Sequence, residues 1–310
     1  MIDATSKAVF HGLSKLTFLQ RMASRFGMRP GGFARRFIAG ESVEEAIEAV
    51  RGLHARGLAL TLDYLGESAA SFEEASAAAD EYVRIIHTIV AAGIERNLSV
   101  KLTQMGLDVD RATAVDHIRR ILEPADQHGF FVRIDMENSP YTEVTLQILE
   151  TLWSLGHRHV GTVIQSCLRR SETDIRRLNA LGARVRLVKG AYKEPKTVAY
   201  QQKMDVDAAF VDLMKLLLDH GHHPAIATHD ESVIAATKKY AAAKGYPKDR
   251  FEFQMLYGIR RDLQTTLVGE GYRVRVYVPF GKQWFPYFMR RLGERPANVL
   301  FVLRGVARER

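Results

Sequence analysis

From residue 57 onward, short runs rich in β-branched and aliphatic residues alternate with longer stretches whose apolar positions recur every three or four residues. The short runs predict strands at 58–62, 99–103, 131–135, 162–165, 185–188, 225–228, 251–254 and 272–278. The stretches between them, 70–92, 111–128, 141–155, 171–181, 197–220, 231–243 and 259–270, predict amphipathic helices. Gly93, Gly129, Gly156, Gly182, Gly221 and Gly245 each close a helical stretch shortly before the next strand. Eight strand–helix units in about 240 residues match the count and length of a (β/α)8 barrel of the TIM type. A doubly wound open sheet is the competing architecture. It requires a Gly-rich phosphate turn after its first strand, and Leu62-Asp-Tyr-Leu-Gly66 is not one.

Both ends of the chain add to this α/β barrel. At residues 5–26, Val9, Leu13, Leu16, Ala23 and Phe26 recur with Lys7, Lys15, Arg21 and Arg25 between them, predicting a basic amphipathic helix. It could dock on the barrel, touch an anionic membrane surface or serve as a transit peptide. Met28-Arg-Pro-Gly-Gly32 breaks it, and Ser42-Val-Glu-Glu45 reads as a capping box opening another helix. The expected organisation is a helical segment at 1–45 and a barrel domain at 46–310. Near the end, residues 285–294 form a two-faced helix. Phe285, Phe288, Met289 and Leu292 share an apolar stripe, and Tyr287, Arg290, Arg291 and Glu294 gather opposite. Adjacent guanidiniums repel unless an anion lies between them, so this polar face predicts a clamp for a carboxylate or phosphate, covering the substrate.

Composition narrows the possibilities. With 46% hydrophobic and 26% charged residues, the 310-residue chain has the balance of a soluble globular protein. The single Cys167 allows no internal disulfide, so a reducing compartment is the default. No apolar run reaches the roughly eighteen residues of a membrane span. The net charge of +8 suggests nucleic acid at first, but residues 1–40 carry +6 and 304–310 carry +2. The body between is neutral, which excludes the basic stripe that nucleic-acid binding needs.

Barrel enzymes place their chemistry at the C-terminal strand ends. There the sequence offers Lys101, Asp135, Gln165, Arg186 and Lys189, Thr228 and His229, Glu252 and Gln254, and Tyr277. Tyr192 and Tyr287 add aromatic walls. His220, His222 and His223 fall at the opposite end, at a spacing that matches no zinc site, and Cys167 reads as a small buried apolar group. Neither a Gly-x-Ser-x-Gly elbow nor a His-Glu-x-x-His pair occurs. Cations and aromatics without a nucleophile–base pair suit a bound organic cofactor that carries the hard chemistry. Two other classes remain open: an aldolase-type barrel with Lys101 or Lys189 as Schiff-base nucleophile, and a non-enzymatic anion-binding module.

Several motifs together resemble the proline dehydrogenase family. They are Lys101-Leu-Thr-Gln-Met-Gly, Asp135-Met-Glu, Val163-Ile-Gln165, Arg186-Leu-Val-Lys-Gly-Ala-Tyr192, Ala227-Thr-His-Asp230, Phe251-Glu-Phe-Gln-Met-Leu-Tyr-Gly258, Tyr277-Val-Pro-Phe-Gly281 and Tyr287…Arg290-Arg291-Leu-Gly-Glu294. The likeness runs in order over residues 57–303 and in length is similar to the monofunctional bacterial form. The resemblance implies an FAD-dependent barrel that oxidises L-proline to Δ1-pyrroline-5-carboxylate and passes electrons to a membrane quinone. It implies Arg290 and Arg291 on the proline carboxylate, Lys101 beside them, and Glu294 paired with an arginine. Leu256, Tyr277 and Tyr287 are implied as ring walls, with Asp135 and Tyr192 completing the active site. FAD would be held by Met136, Gln165, Arg186, Val188, Lys189, Gly190, Ala191, Thr228 and His229. A cytoplasmic enzyme, peripheral at the inner membrane face, is the implied setting.

Overall fold

The computed structural model of the chain describes Met28 and residues 32–294. The predicted basic helix at 5–26 lies outside these residues, as does the side chain of Glu294. Eight parallel strands close into a barrel in sequence order. They are β1 (Ala59–Tyr64), β2 (Asn97–Val100), β3 (Phe131–Ile134), β4 (Val160–Gln165), β5 (Val185–Val188), β6 (Ala225–Ala227), β7 (Glu252–Leu256) and β8 (Val274–Phe280). β8 returns to β1 in a parallel register that pairs Ala59 with Arg275 and Tyr64 with Phe280. The helices are α1 (Val43–His54), α2 (Phe72–Ala92), α3 (Arg111–Gln127), α4 (Thr142–Ser154), α5 (Ser171–Leu181), α6 (Lys203–His220), α7 (Glu231–Ala243), α8 (Arg261–Gly269) and α9 (Trp284–Glu294). No helix among the described residues is long and apolar enough to cross a membrane.

The expected element order is the observed one, with boundary differences that have local causes. The helix predicted at 197–220 starts only at Lys203, because the preceding residues turn after Pro195 and bridge Ala199 to Leu168. Gly182 ends α5 in the left-handed region, at φ 85°, whereas Gly221 ends α6 in extended backbone at φ −88°. There the reason for glycine is crowding, since a Cβ would lie 2.6 Å from the Leu217 carbonyl oxygen. At α1, Ser42 accepts the Glu45 N–H at 3.3 Å. The Glu45 carboxylate accepts from Glu41 N–H at 3.1 Å, one residue before the donor of a reciprocal capping box.

Strand alternation divides the barrel wall into two unlike faces. Leu60, Leu62, Leu98, Val100, Val132, Ile134, Leu187, Phe253 and Val276 are buried in one apolar cluster with helix residues such as Ile85, Ile86, Ile118, Leu149 and Leu217. The intervening positions, Thr61, Asp63, Ser99, Arg133, Arg186, Glu252, Gln254 and Arg275, are buried and polar. Several of them hydrogen-bond along the barrel axis. Arg275 Nε donates to Glu252 Oε1 at 2.8 Å, and Gln254 Nε2 donates to the same oxygen at 2.5 Å. Arg186 Nε then donates to Gln254 Oε1 at 2.5 Å. Glu252 therefore opens β7 at the barrel floor, which corrects its expected place at the catalytic end. The polar–apolar alternation of Glu252-Phe-Gln-Met extends the strand two residues further than its apolar run suggests.

Burial alone would raise the Glu252 carboxyl, but Arg275 and its hydrogen-bond donors hold it well below the usual range. Such a group stabilises the fold above its unfolded value, near pH 4, and that stability is lost as pH falls toward the folded value. Glu252→Gln should therefore cost about 3 kcal/mol at pH 7 and flatten the acid limb of a denaturation-versus-pH profile. A midpoint unchanged at pH 7 would contradict this role.

Candidate active site

A cavity of about 530 Å³ opens at the C-terminal ends of the strands. Every site residue named from the sequence lines it, Glu252 and Glu294 aside. It also gathers residues given no role from the sequence, chiefly Asp63, Lys203 and Asp230.

Asp63 is the alternate, inward residue of Leu62-Asp-Tyr and is fully buried. Lys101 follows β2 and lies 3.1 Å from Asp63 Oδ1 and 3.6 Å from Asp135 Oδ2. Asp135 follows β3, where Oδ1 accepts from Arg186 Nη1 at 2.8 Å and Oδ2 accepts from the Tyr277 hydroxyl at 2.7 Å. Arg186 Nη2 donates to Ser99 Oγ at 3.1 Å, and its guanidinium lies 5.1 Å from the Tyr277 ring centre. Five strands thus converge on one buried cluster of two carboxylates and two cations.

The electrostatics of the cluster are unequal. Burial raises both carboxyls, yet Arg186, Lys101 and the Tyr277 hydrogen bond hold Asp135 below its ordinary value. Asp63 is raised by burial, against Lys101 and with the charge of Asp135 adding to the rise. Burial would lower Lys101, but the two carboxylates outweigh it and keep the ammonium charged. Burial and then both carboxylates push the Tyr277 phenol well above its usual value, so it stays a hydrogen-bond donor.

The β4–β6 side of the cavity carries a second polar group. Lys189 Nζ lies 2.5 Å from Asp207 and 2.8 Å from Asp230. Asp230 also caps α7 by accepting the Ser232 N–H at 3.1 Å. His229 Nε2 accepts the Leu256 N–H at 2.9 Å, which places the ring proton on Nδ1. Gln165 Nε2 donates to the Glu137 carbonyl at 2.9 Å. Cys167 is half-buried, and burial pushes its thiol up to about 11, away from nucleophilic thiolate chemistry.

The third wall is α9. Trp284, Phe285, Phe288 and Met289 are buried with Phe37, Ile38 and Leu65, and Trp284 Nε1 donates to Glu41 Oε1 at 2.9 Å. This packing turns Tyr287, Arg290 and Arg291 into the cavity. Tyr287 sits on the expected polar face yet is itself buried, with the Arg291 guanidinium 5.2 Å from its ring centre. Arg290 Nη1 pairs with Glu67 Oε1 at 2.9 Å, so the described carboxylate on this helix's arginines comes from the β1–α2 loop. Of the three expected opposite-end histidines, His223 borders the barrel floor 3.9 Å from Glu252.

Fold and site together define a (β/α)8 barrel enzyme with a cationic, aromatic-walled mouth suited to a small carboxylate. A sequence profile of the proline dehydrogenase family matches residues 46–304. Proline dehydrogenase 1 of Bacillus subtilis is 46% identical over 301 residues, covering 97% of this chain and 99% of that protein. Proline dehydrogenase of Deinococcus radiodurans is 46% identical over 277 residues, 88% of this chain and 89% of that protein. The crystal structure of proline utilization A (PutA) from Bdellovibrio bacteriovorus, inactivated by N-propargylglycine, superposes with a TM-score of 0.78 at 30% identity. That match covers 84% of this chain but only 32% of the PutA chain. The chain belongs to the proline dehydrogenase family. Its activity is that of an oxidoreductase of proline catabolism.

Lys101→Met would leave Asp63 and Asp135 facing one another without their shared cation. One carboxyl should then take up a proton in the folded state, raising its value above that of the unfolded chain. The variant's stability should accordingly fall, relative to the parent, as pH rises from 5 to 8. Thermal melts at both pH values check this, and a pH-independent difference would contradict it.

Proposed function

We propose that the chain oxidises L-proline to Δ1-pyrroline-5-carboxylate, with FAD as bound oxidant and a membrane quinone as the final electron acceptor. The observation that carries this reading is the convergence of Lys101, Arg290 and Arg291 on a cavity that also contains the buried Arg186. The names of the Bacillus and Deinococcus relatives support proline as the substrate.

The residues present suit a flavin. Met136, Val163, Val188 and Ala191 give the cavity apolar surface, while Gln165, Thr228 and His229 supply polar groups among them. Lys189 and Lys203 add cations of the kind that phosphate groups require. Met136, Gln165, Arg186, Val188, Lys189, Gly190, Ala191, Thr228 and His229 would hold the cofactor. When bound, FAD supplies a two-electron acceptor for the hydride that leaves proline C5.

The chain's own part is to place and prepare the substrate. Arg290 and Arg291 take the carboxylate, a role that paired guanidiniums fill better than lysines. Arg290 must then share with the substrate an interaction that Glu67 holds in this structure. Lys101, fixed by Asp63 and Asp135, presents its charge to the same carboxylate. Leu256, Tyr277 and Tyr287 wall the pyrrolidine ring, Asp135 and Tyr192 complete the site, and α9 covers it. The ring nitrogen must shed a proton before its lone pair can drive the C5 hydrogen out as hydride. Lys101, Arg290 and Arg291 favour the neutral amine through their charge. Arg186 sets a fixed positive charge where negative charge builds during the oxidation.

For the acceptor, the basic segment at 5–26 is the proposed contact with an anionic membrane surface, with the enzyme cytoplasmic and peripheral. Glu294, whose side chain lies outside the described residues, is proposed to pair with one of the α9 arginines.

Purified protein supplied with FAD and a soluble quinone should consume L-proline and form a product that gives the yellow adduct of a cyclic imine with o-aminobenzaldehyde. Arg291→Met should raise KM for proline at least about tenfold, the scale of one lost charge-assisted hydrogen bond, while FAD content stays at the parent level. An unchanged KM would remove Arg291 from the clamp.

A further inference from the structure

At the end of the barrel remote from the proline cavity, the strand starts enclose a second hollow of about 210 Å³. Arg133, Arg184, Arg273 and Arg275 line it, against the single carboxylate of Glu252. Glu95 joins from beyond its walls, 3.1 Å from Arg273 and 2.9 Å from Arg275. Four guanidiniums therefore meet two carboxylates, leaving two positive charges in excess.

The excess is localised. Arg275 and Arg273 both pair with Glu252, at 2.8 and 3.2 Å. Arg133 is only 3% exposed, and no described carboxylate lies within 4.0 Å of it. Its Nη1 donates to the carbonyl oxygens of Thr162 and Arg184, at 2.9 and 3.0 Å. A buried guanidinium bonded only to carbonyls has its charge offset at longer range alone, here by Glu252 and Asp135, an arrangement proteins seldom tolerate. Arg184, at the exposed rim, likewise has no described carboxylate within 4.0 Å. Both guanidiniums lie over the Phe131 ring, 4.8 and 5.1 Å from its centre. Stacking of this kind leaves the in-plane N–H groups of a guanidinium able to serve another acceptor. Burial, and then the charge of Arg186, push Arg133 well below its ordinary value, a penalty that a bound anion relieves.

We propose that this floor hollow is a binding site for a small dianionic oxyanion, of the phosphate or short dicarboxylate kind, held by Arg133, Arg184 and Arg273 with Asn97 as a neutral donor. The double charge follows from the excess of two, and the oxyanion chemistry from planar donors that match paired oxygens. The site is separate from the proline clamp and does not rest on the reading of that end.

The test uses the FAD-loaded full chain in thermal melts against sodium phosphate, disodium succinate and sodium chloride at matched ionic strength. A saturable rise in Tm with phosphate or succinate, absent with chloride, is the expected result, and the stronger of the two identifies the preferred chemistry. Arg184→Gln should weaken the apparent affinity about tenfold or more. Arg291→Met, which alters the other anion-binding end, should leave it unchanged. Arg273→Gln serves as the second variant should Arg184→Gln fail to fold. Equal shifts with chloride, no saturable shift with either dianion, or loss of the effect in Arg291→Met with retention in Arg184→Gln would each overturn the proposal.

Discussion

The ion pair between Asp135 and Arg186 is the interaction on which the interior depends. Each partner is buried, and a buried charge is tolerable only while the other is present. Asp135 also receives Tyr277 and lies beside Lys101, which in turn balances Asp63. Arg186 hands the chain of contacts to Gln254, Glu252 and Arg275, reaching the barrel floor. Barrels of this class ordinarily fill their centre with layers of branched apolar side chains. This one fills it with a charged network, and its apolar burial lies between strands and helices instead. The consequence is a rigid set of charges fixed before any ligand arrives, the condition under which electrostatic stabilisation of a reaction costs no reorganisation.

The mouth is governed by a different force. α9 carries its two arginines into the cavity because Trp284, Phe285, Phe288 and Met289 need burial, and Phe37, Ile38 and Leu65 supply it. The residues before α1 also bind the barrel rim directly, through Ala39 N–H to the Pro279 carbonyl and Gly281 N–H to the Gly40 carbonyl, both at 2.9 Å. The position of these two arginines is thus set by the packing of residues that precede the first strand against the helix that follows the last one. Helix amphipathicity chooses which side chains face inward, and hydrophobic burial, rather than charge, holds them there.

Much of this was legible in the residues themselves. Period-two and near-period-four patterns located all eight strands and the helices between them, and a barrel places the strand ends together without further information. Lys101, Asp135 and Tyr277 stood out as polar groups near the ends of their runs, and Arg186 as the one charge inside Val185–Val188. Asp63 escaped because the predicted strand stops at Leu62, and only the continued alternation Leu60-Thr-Leu-Asp63 marks it as the next inward position. Glu67 escaped because its partner Arg290 lies 223 residues away, and loop residues carry no periodic signal. Glu252 was placed at the wrong end of its strand, since the start of β7 is set by pairing with β6 and β8 and not by its own apolar residues. The paired charges of the floor, Arg273 and Arg275 with Glu95 and Glu252, are likewise products of closure that one strand cannot announce.

Whether this cavity holds a flavin and delivers proline to it, as proposed, is tested directly by an anaerobic titration of the FAD-loaded protein with L-proline, followed by visible absorbance. The expected result is a bound flavin spectrum that bleaches on addition of proline. A bound flavin that keeps its colour in excess proline would contradict proline as the reductant, and protein that retains no flavin after incubation with FAD would contradict the cofactor assignment itself.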